Sequence, residues 1–260
     1  KCGVIRCFTR FCGHSQNISC NFLIAKFGRE EHLKQLQNGE IYFNAVQAYR
    51  DDGTVYRGDP MEGKIPIDPA KIKLYDQAGR DIFETIPRPN TIVESLVGDE
   101  NLMMFCASAI TTEIMDYVAN DIWKFKEEFK SEMQKFGDHV LLIWSLELLE
   151  HIAKATDITG QKIGFIDRRI LYRDLKDFDN THEYRITGSP LDVYFVKGLL
   201  YKNQNEWRVI IDGEREELKI NCDRGFLLQT SPFQYSQIMK TTDFLNGEIK
   251  IQMDNNKIDL

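Results

Sequence analysis

The sequence predicts an α+β fold, and three observations indicate this class. Apolar runs at residues 21–27, 101–108, 138–146 and 205–212 have the length and composition of buried strands. Helical patterns separate only some of these runs, which argues against a regular doubly wound sheet. The chain has 260 residues, of which 42% are hydrophobic, and this is enough for a sizeable core.

The first hundred residues begin with a strand, a helix and a second strand. Residues 21–27 (NFLIAKF) and 40–44 (EIYFN) are the predicted strands. The segment between them is a predicted helix, because Glu30 and Glu31 would lie in its first turn and Asn38-Gly39 would end it. Residues 45–101 hold five of the seven prolines and are predicted to be rich in loops.

The clearest predicted helix covers residues 111–137. Its apolar residues recur at steps of three and four, as expected for an amphipathic helix: Met115, Val118, Ile122, Phe125, Phe129, Met133 and Phe136. A strand at 138–146 and a shorter helix to about residue 155 follow. The remaining predicted strands cover residues 161–167, 191–202, 205–212 and 225–231, and a final helix covers 232–246.

We predict one domain over residues 21–260, after a cysteine-containing extension at residues 1–20. Four of the six cysteines lie in this extension: Cys2, Cys7, Cys12 and Cys20. Their spacings do not give the ligand pairs, two to four residues apart, that are typical of zinc sites, so reduced thiols are the preferred interpretation. Cys106 and Cys222 lie in apolar contexts and are predicted core thiols.

Charge and hydropathy limit the possible partners. The net charge of −7 argues against a broad nucleic-acid-binding surface. No apolar run approaches the roughly 20 residues that span a bilayer, and no secretory signal pattern is present. We therefore expect a cytoplasmic protein without disulfides and without a membrane partner.

Common catalytic signatures, such as phosphate-binding loops, are absent from the sequence. One short motif suggests a nuclease: Asp59, Glu62 and Lys64 fall within DPMEGK, and such carboxylates can hold Mg²⁺ while the lysine stabilises the attacked phosphate. The motif lies in a predicted loop that contains glycine and proline residues. The simpler interpretation is that its three charged side chains are solvated and have no catalytic role.

A second pattern is spread along the chain. The block KFGREEHLKQLQNGEIYFN at residues 26–44, CAS at 106–108 and QNE at 204–206 together resemble ADP-ribosyltransferase-fold toxins. Nearly the whole chain after residue 21 resembles a bacterial domain family of unknown function, often found near mobile and phage-defence genes. That likeness rests on the order of Lys26-Phe27, GEIYFN, GDPMEG, FCAS and VKGLLYKNQNEWR.

The resemblance implies a fold and a reaction. It implies split, mostly antiparallel β-sheets around a cleft with flanking helices, and an NAD-dependent transfer of ADP-ribose to a protein or nucleic-acid acceptor. The enzyme would act as a toxin or phage-defence effector, with an antitoxin or defence protein as a further partner. A helical insertion near residues 112–136 would account for the long separation of Ser108 from Glu206.

The resemblance also implies residue roles. Glu206 would be the catalytic carboxylate, and Gln204, which replaces the first Glu of the family's Glu-x-Glu, would orient the acceptor from the same strand face. NAD, the substrate, would be bound by residues from three strands: Lys26, Phe27, Gly28, Tyr42, Asn44 and Ser108, with Phe43 as an alternative to Tyr42 for stacking on the nicotinamide. The non-enzymatic alternatives are a binding module without chemistry, or a purely structural Glu206 paired with Arg208 or Lys202 on an exposed strand face.

Overall fold

The computed structural model describes residues 3–7, 22–90, 92–96, 98–99, 102–156, 164–176, 189–212 and 225–253. The first eight strands in these ranges are Gly3–Cys7 (β1), Leu23–Gly28 (β2), Glu40–Ala45 (β3), Ile65–Ile67 (β4), Ile92–Glu94 (β5), Leu102–Ala109 (β6), Met115–Ala119 (β7) and Ile122–Phe125 (β8). The others are His139–Trp144 (β9), Phe165–Arg169 (β10), Leu171–Arg173 (β11), Val196–Gly198 (β12), Glu206–Asp212 (β13), Gly225–Gln229 (β14), Ser236–Lys240 (β15) and Ile249–Met253 (β16). The α-helices are Glu30–Gln37 (α1), Val46–Asp51 (α2), Glu127–Met133 (α3), Ser145–Thr156 (α4) and Thr241–Asn246 (α5), and two 3₁₀ helices, Pro190–Phe195 and Leu199–Gln204, flank β12.

The main sheet confirms the predicted α+β class. Its strands run in the order β10-β13-β6-β2-β9-β15, with β3 and β14 attached to β6. The neighbouring strands in this sheet are antiparallel. A smaller sheet has the order β1-β16-β8-β7 and includes one parallel pair, since β1 from the N-terminal extension runs parallel to β16.

The main sheet divides along β6. One edge of β6 pairs with β13 over its length, from Leu102 opposite Asp212 to Ser108 opposite Glu206. The other edge pairs with β2 at residues 108–109 and with β3 at residues 103–104. Within the described residues, neither β2 nor β3 pairs with residues 105–107, so a gap opens in the middle of the sheet.

Strand β13 is buried on both faces. Trp207, Val209 and Ile211 pack into one hydrophobic cluster of the main sheet. The opposite face carries Ile210, which packs into a second cluster with Met104. Because both faces are covered, Glu206 and Arg208 are also inside the protein.

The prediction of one helix over residues 111–137 was wrong for most of its length. Residues 115–125 form the β7–β8 hairpin, and only the segment from Glu127 to Met133 is α-helical. The hairpin turns at Asn120 and Asp121, whose φ angles are 52° and 61°. Asn and Asp adopt this left-handed conformation at low cost, and the flanking β-branched and aromatic residues favour strands over a helix. The predicted helical insertion is therefore a hairpin followed by a short helix.

The turn gives a stability prediction. Replacing Asn120 with valine should lower the free energy of unfolding by about 1–2 kcal/mol, because a β-branched residue is strained at positive φ. Asn120→Gly, which removes the same side chain but tolerates the conformation, should stay close to wild type. Urea unfolding curves compare the two variants, and equal losses would argue against the left-handed turn.

Two further sequence predictions need correction. Residues 191–202 form the two 3₁₀ helices and the three-residue β12 rather than one strand, since Pro190 begins the first 3₁₀ helix. Residues 232–246 contain β15 and α5 rather than one helix, because Ser236–Lys240 pairs with β9.

Cys2, Cys12, Cys20 and Cys222 lie outside the described residues. Among the helices of the described ranges, none is long and apolar enough to cross a membrane.

Candidate functional site

A cavity of about 680 Å³ lies at the gap in the main sheet. We call it the central cavity. Its walls come from β2, β3, β6 and β13, from residues 52–57 and from the end of α3. All eight residues predicted from the sequence line it: Lys26, Phe27, Gly28, Tyr42, Asn44, Ser108, Gln204 and Glu206. The volume falls within the roughly 300–1,000 Å³ that small-molecule sites occupy in proteins.

Glu206 begins β13 directly opposite Ser108. Its Oε1 accepts a hydrogen bond from Arg208 Nε at 2.6 Å, and its Oε2 accepts one from Lys197 Nζ at 2.9 Å. Burial alone would raise the pKa of Glu206, but the positive charges of Arg208 and Lys197 hold that pKa well below its usual range. The carboxylate is therefore ionised at neutral pH. The Cys106 side chain also hydrogen-bonds to it, so about one of its four lone-pair positions is left for a ligand.

Arg208 connects Glu206 to a second buried carboxylate. It is fully buried, and its Nη1 and Nη2 donate to the two oxygens of Glu62 at 2.6 and 2.7 Å. Nη1 also donates to the main-chain oxygen of Tyr194 at 2.6 Å. Glu62, Lys197, Glu206 and Arg208 thus form a buried charge network of two anions and two cations. The alternative of an exposed ion pair is wrong, because Glu206 does pair with Arg208 but inside the protein, and its second partner is Lys197.

Gln204 reaches the cavity for a different reason from the predicted one. It ends the second 3₁₀ helix and is not part of β13. Asn205 separates it from Glu206 with a left-handed backbone, at a φ of 44°. The Asn205 side chain donates to the main-chain oxygen of Ala109 at 2.6 Å, which fixes this turn. The turn, and not a shared strand face, brings the amide and the carboxylate together.

The Gln204 amide is bonded at both ends within the protein. Its Nε2 donates to the main-chain oxygen of Tyr56 at 2.8 Å and to Glu132 Oε1 at 3.2 Å. Its Oε1 accepts from Lys197 Nζ at 3.3 Å. This arrangement favours a role in holding residues 56–58 beside the charge network over direct contact with an acceptor.

Lys26 projects into the gap between β2 and β3. Its Nζ donates to the main-chain oxygen of Cys106 at 2.5 Å, in the part of β6 that β2 and β3 leave unpaired. Burial lowers the pKa of Lys26, the nearby Cys106 and Glu206 raise it, and the Arg57 guanidinium lowers it by the smallest amount. Among the described residues Lys26 forms no ion pair with a carboxylate, so it is a partly buried cation suited to an anionic ligand.

The two candidate stacking residues differ in accessibility. Tyr42 is 46% exposed and lines the cavity, whereas Phe43 is fully buried in a hydrophobic cluster. Tyr42 is therefore the one of the two that can stack on a ligand. Phe27 contacts Phe129 and Phe244, so it supports the cavity wall through packing. Ser108 donates from Oγ to the sulfur of Met133 at 3.2 Å.

Sequence reasoning missed three residues of the cavity. Cys106 was predicted to be a core thiol, but it lines the cavity, where burial and the charge of Glu206 raise its pKa to about 12. It is therefore a neutral thiol at pH 7. Its position two residues before Ser108 on β6 was the signal that could have found it. Lys197 and Arg57 also line the cavity, and a lysine inside the apolar run VYFVKGLL was a visible sign of a buried partner.

The geometry does not favour the nuclease hypothesis. Both oxygens of Glu62 are occupied by Arg208. Asp59 is buried, and its Oδ1 accepts from the main-chain nitrogen of Met61 at 2.9 Å. The described residues contain no group of three or more His, Cys, Asp or Glu side chains that could hold a metal ion.

Asp59 yields a pH prediction. Burial, and next the negative charge of Glu62, raise its pKa above the usual value. A carboxyl group with a raised folded-state pKa stabilises the fold below its unfolded pKa of about 3.9 and loses this contribution as the pH rises through the folded pKa. Asp59→Asn should therefore raise the free energy of unfolding at pH 7 by about 0.5–2 kcal/mol, the usual range for a single stabilising change.

Urea titrations at pH 7.5 and pH 4.5 measure this difference. The advantage of Asp59→Asn should shrink at the lower pH, where the wild-type carboxyl takes up its proton. Exposed Asp116→Asn is a control that should change little at either pH. A loss of stability in Asp59→Asn at pH 7.5 would mean that the network needs the Asp59 charge.

Comparison of the chain with protein-family models, curated proteins and solved structures found no match. The central cavity and the buried charge network combine three features that bear on function. These are the ionised carboxylate of Glu206, the partly buried ammonium of Lys26, which has no carboxylate partner in the described part of the chain, and the exposed ring of Tyr42.

Proposed function

We propose that the protein is an NAD-dependent ADP-ribosyltransferase-like enzyme that transfers ADP-ribose to a macromolecular acceptor, as a toxin or phage-defence effector. The supporting observation is that the eight residues to which the resemblance gives roles in this chemistry line one cavity, although they are widely separated in the chain. The division of the main sheet along β6 also agrees with the split sheets that the resemblance implies.

The chemistry requires a carboxylate that is ionised and fixed. When the bond between the ribose carbon and the nicotinamide nitrogen breaks, its electron pair leaves with nicotinamide and positive charge develops on the ribose. Glu206 would accept a hydrogen bond from a ribose hydroxyl and stabilise this charge. Arg208 and Lys197 suit this role, since they hold the carboxylate in place and keep it deprotonated without occupying all of its lone pairs.

The other cavity residues would bind the substrate. Lys26 would contact the pyrophosphate as a partly buried positive charge. Asn44 and Ser108 would hydrogen-bond to NAD, and Tyr42 would stack on the nicotinamide ring. Gln204 would fix the wall beside Glu206 through its bonds to Tyr56 and Lys197.

The test is release of nicotinamide from NAD by the purified protein, measured alone, with total cell RNA and with cell lysate. Release that depends on Glu206 supports the transferase, and the fraction that stimulates it identifies the class of acceptor. NAD binding without release under any condition would instead favour a binding module that lacks the chemistry.

A further inference from the structure

The segment 52–58 contributes Asp52, Tyr56 and Arg57 to the wall of the central cavity and is fixed at two neighbouring points. Gln204 Nε2 donates to the main-chain oxygen of Tyr56, and Tyr201 Oη donates to the main-chain oxygen of Gly58 at 2.9 Å. Both tethers come from the second 3₁₀ helix, which ends beside Glu206. Arg57 lies between the two tethered carbonyls, so its backbone position is tied to the candidate site.

The turn that carries Arg57 depends on Gly58. The Gly58 main-chain nitrogen donates to the oxygen of Thr54 at 2.8 Å, which closes the turn. A Cβ atom at this position would lie 1.7 Å from the main-chain oxygen of Asp52. This contact excludes any larger residue in the same backbone conformation, so the turn has little freedom to rearrange.

The Arg57 side chain keeps most of its donors available. Its guanidinium lies over the rings of Tyr56 and Phe136, at 5.5 and 5.8 Å from their centroids. One donor, Nη2, binds the main-chain oxygen of Phe136 at 2.8 Å. A guanidinium has five N–H donors, and Arg57 forms no carboxylate ion pair among the described residues.

Arg57 and Lys26 belong to the same electrostatic environment. Both line the central cavity, and the Arg57 charge is close enough to lower the pKa of Lys26. Two cations that face one cavity, each without a carboxylate partner in the described part of the chain, repel each other. An anionic group between them would relieve this repulsion and accept charge-assisted hydrogen bonds.

We propose that Arg57 is a second anion-binding residue of the central cavity, that it and Lys26 together bind a pyrophosphate group, and that Gln204 is the residue that positions Arg57. This inference rests on the proposed function for the identity of the ligand, because NAD carries a pyrophosphate. It assigns Gln204 a role in substrate positioning in place of the acceptor contact predicted from the sequence.

The experiment is calorimetric titration of the full chain with inorganic pyrophosphate at constant ionic strength. Arg57→Ala should weaken binding about tenfold, in keeping with the loss of a charge-assisted contact at a partly exposed site. Arg57→Lys should recover part of this loss, since it restores the charge without the bidentate geometry. Arg29→Ala is the matched control and should change affinity less than twofold. Arg29 lines the cavity and is exposed, as Arg57 is, but it is paired with Glu31 at 3.8 Å.

A double-mutant cycle tests the positioning role. Gln204→Leu should weaken pyrophosphate binding and speed amide hydrogen exchange at residues 56–58. The double variant Gln204→Leu/Arg57→Ala should bind no more weakly than Arg57→Ala, because Gln204 acts through Arg57. Additive losses, or unchanged exchange at residues 56–58, would overturn the role of Gln204.

The outcomes separate this inference from the proposed function. Wild-type protein that does not bind pyrophosphate, or equal losses in Arg57→Ala and Arg29→Ala, would overturn the anion site. If Arg57→Ala releases nicotinamide at the wild-type rate, the anion site would also be overturned, while the transferase assignment would survive. Arg57-dependent pyrophosphate binding without any nicotinamide release would keep the anion site and reject the transferase.

Discussion

Glu206→Gln is expected to reduce nicotinamide release from NAD by at least about a hundredfold, the usual effect of removing one group that stabilises transition-state charge. Glutamine has nearly the same shape, and its single amide oxygen can accept a hydrogen bond from either Arg208 or Lys197, while its NH₂ group faces the other cation. It lacks the negative charge that would oppose the developing positive charge on the ribose. The change therefore tests the charge and not merely the volume of the side chain.

Stability is the main complication of this experiment. Glu206 neutralises two buried cations, so its loss leaves Arg208 with Glu62 alone and leaves Lys197 with the Gln204 oxygen. Removing one partner of a buried ion pair costs about 3–5 kcal/mol in general. Glutamine should cost less than alanine, because it keeps the side-chain volume and one of the two hydrogen bonds. Glu206→Ala would lose both bonds and is the weaker test.

Glu62→Gln provides the matched control. Glu62 is equally buried and bonds the same arginine, but it does not line the central cavity. Both glutamine variants should show similar losses in the free energy of unfolding. Nicotinamide release should be lost only in Glu206→Gln, after correction for the folded fraction. Equal activities in the two variants would reject Glu206 as the catalytic carboxylate.

Several strands of the main sheet could be predicted because they are buried and short, whereas β15 was predicted to be part of a helix. Apolar runs fix β2, β6, β9 and β13, and their burial on both faces gives continuous hydrophobic stretches. The β7–β8 hairpin could not be recognised from spacing. Its apolar residues Met115, Val118, Ile122 and Phe125 follow one another at steps of three and four, which is also the spacing of one face of a helix. The turn residues Asn120 and Asp121 were the better signal, since turn chemistry depends on only two positions.

The sequence predicted which residues line the cavity better than it predicted how these residues are bonded to one another. The resemblance selected residues that line one cavity, but it did not indicate that Gln204 is in a 3₁₀ helix or that Glu206 is tied to Lys197. Such relations depend on how the 3₁₀ segments fold over β13, and sequence periodicity contains no information on that packing. Arg57 was missed for the same reason. Its place at the cavity depends on hydrogen bonds that Tyr201 and Gln204 donate to the main-chain oxygens of its neighbours Gly58 and Tyr56, more than 140 positions away in the chain.

Arg208→Met is expected to cause the largest loss of stability. The guanidinium makes four hydrogen bonds of 2.6–2.7 Å, to Glu62, Glu206 and the Tyr194 oxygen. Methionine has similar length but no charge, so Glu62 and Glu206 would be left buried with Lys197 as the remaining cation of the network. We expect a loss of about 3–5 kcal/mol, which is a large part of the 5–15 kcal/mol that typically stabilises a domain.

The measurement is urea unfolding followed by circular dichroism. Arg80→Met is the control, because Arg80 is 76% exposed on its side chain and pairs with Asp76 at 2.8 Å, and such a pair contributes about 1 kcal/mol or less. A loss below about 1 kcal/mol in Arg208→Met, within the range for surface pairs, would mean that water or rearrangement compensates the two carboxylates. Arg208→Lys should fall between the two, since one ammonium cannot reproduce the bidentate contact with Glu62.

The double variant Arg208→Met/Glu62→Leu separates a charge effect from a packing effect. It removes one cation and one anion together and leaves Glu206 paired with Lys197. If the cost of Arg208→Met comes from unpaired buried carboxylates, the double variant should be more stable than Arg208→Met alone, because apolar replacement of a whole buried pair is often close to neutral. If the cost comes from lost packing around Arg208, the second substitution should add to it. The first result would also mean that Lys197 alone can hold Glu206 ionised at the cavity, so nicotinamide release by the double variant would then test how much of the network the chemistry needs.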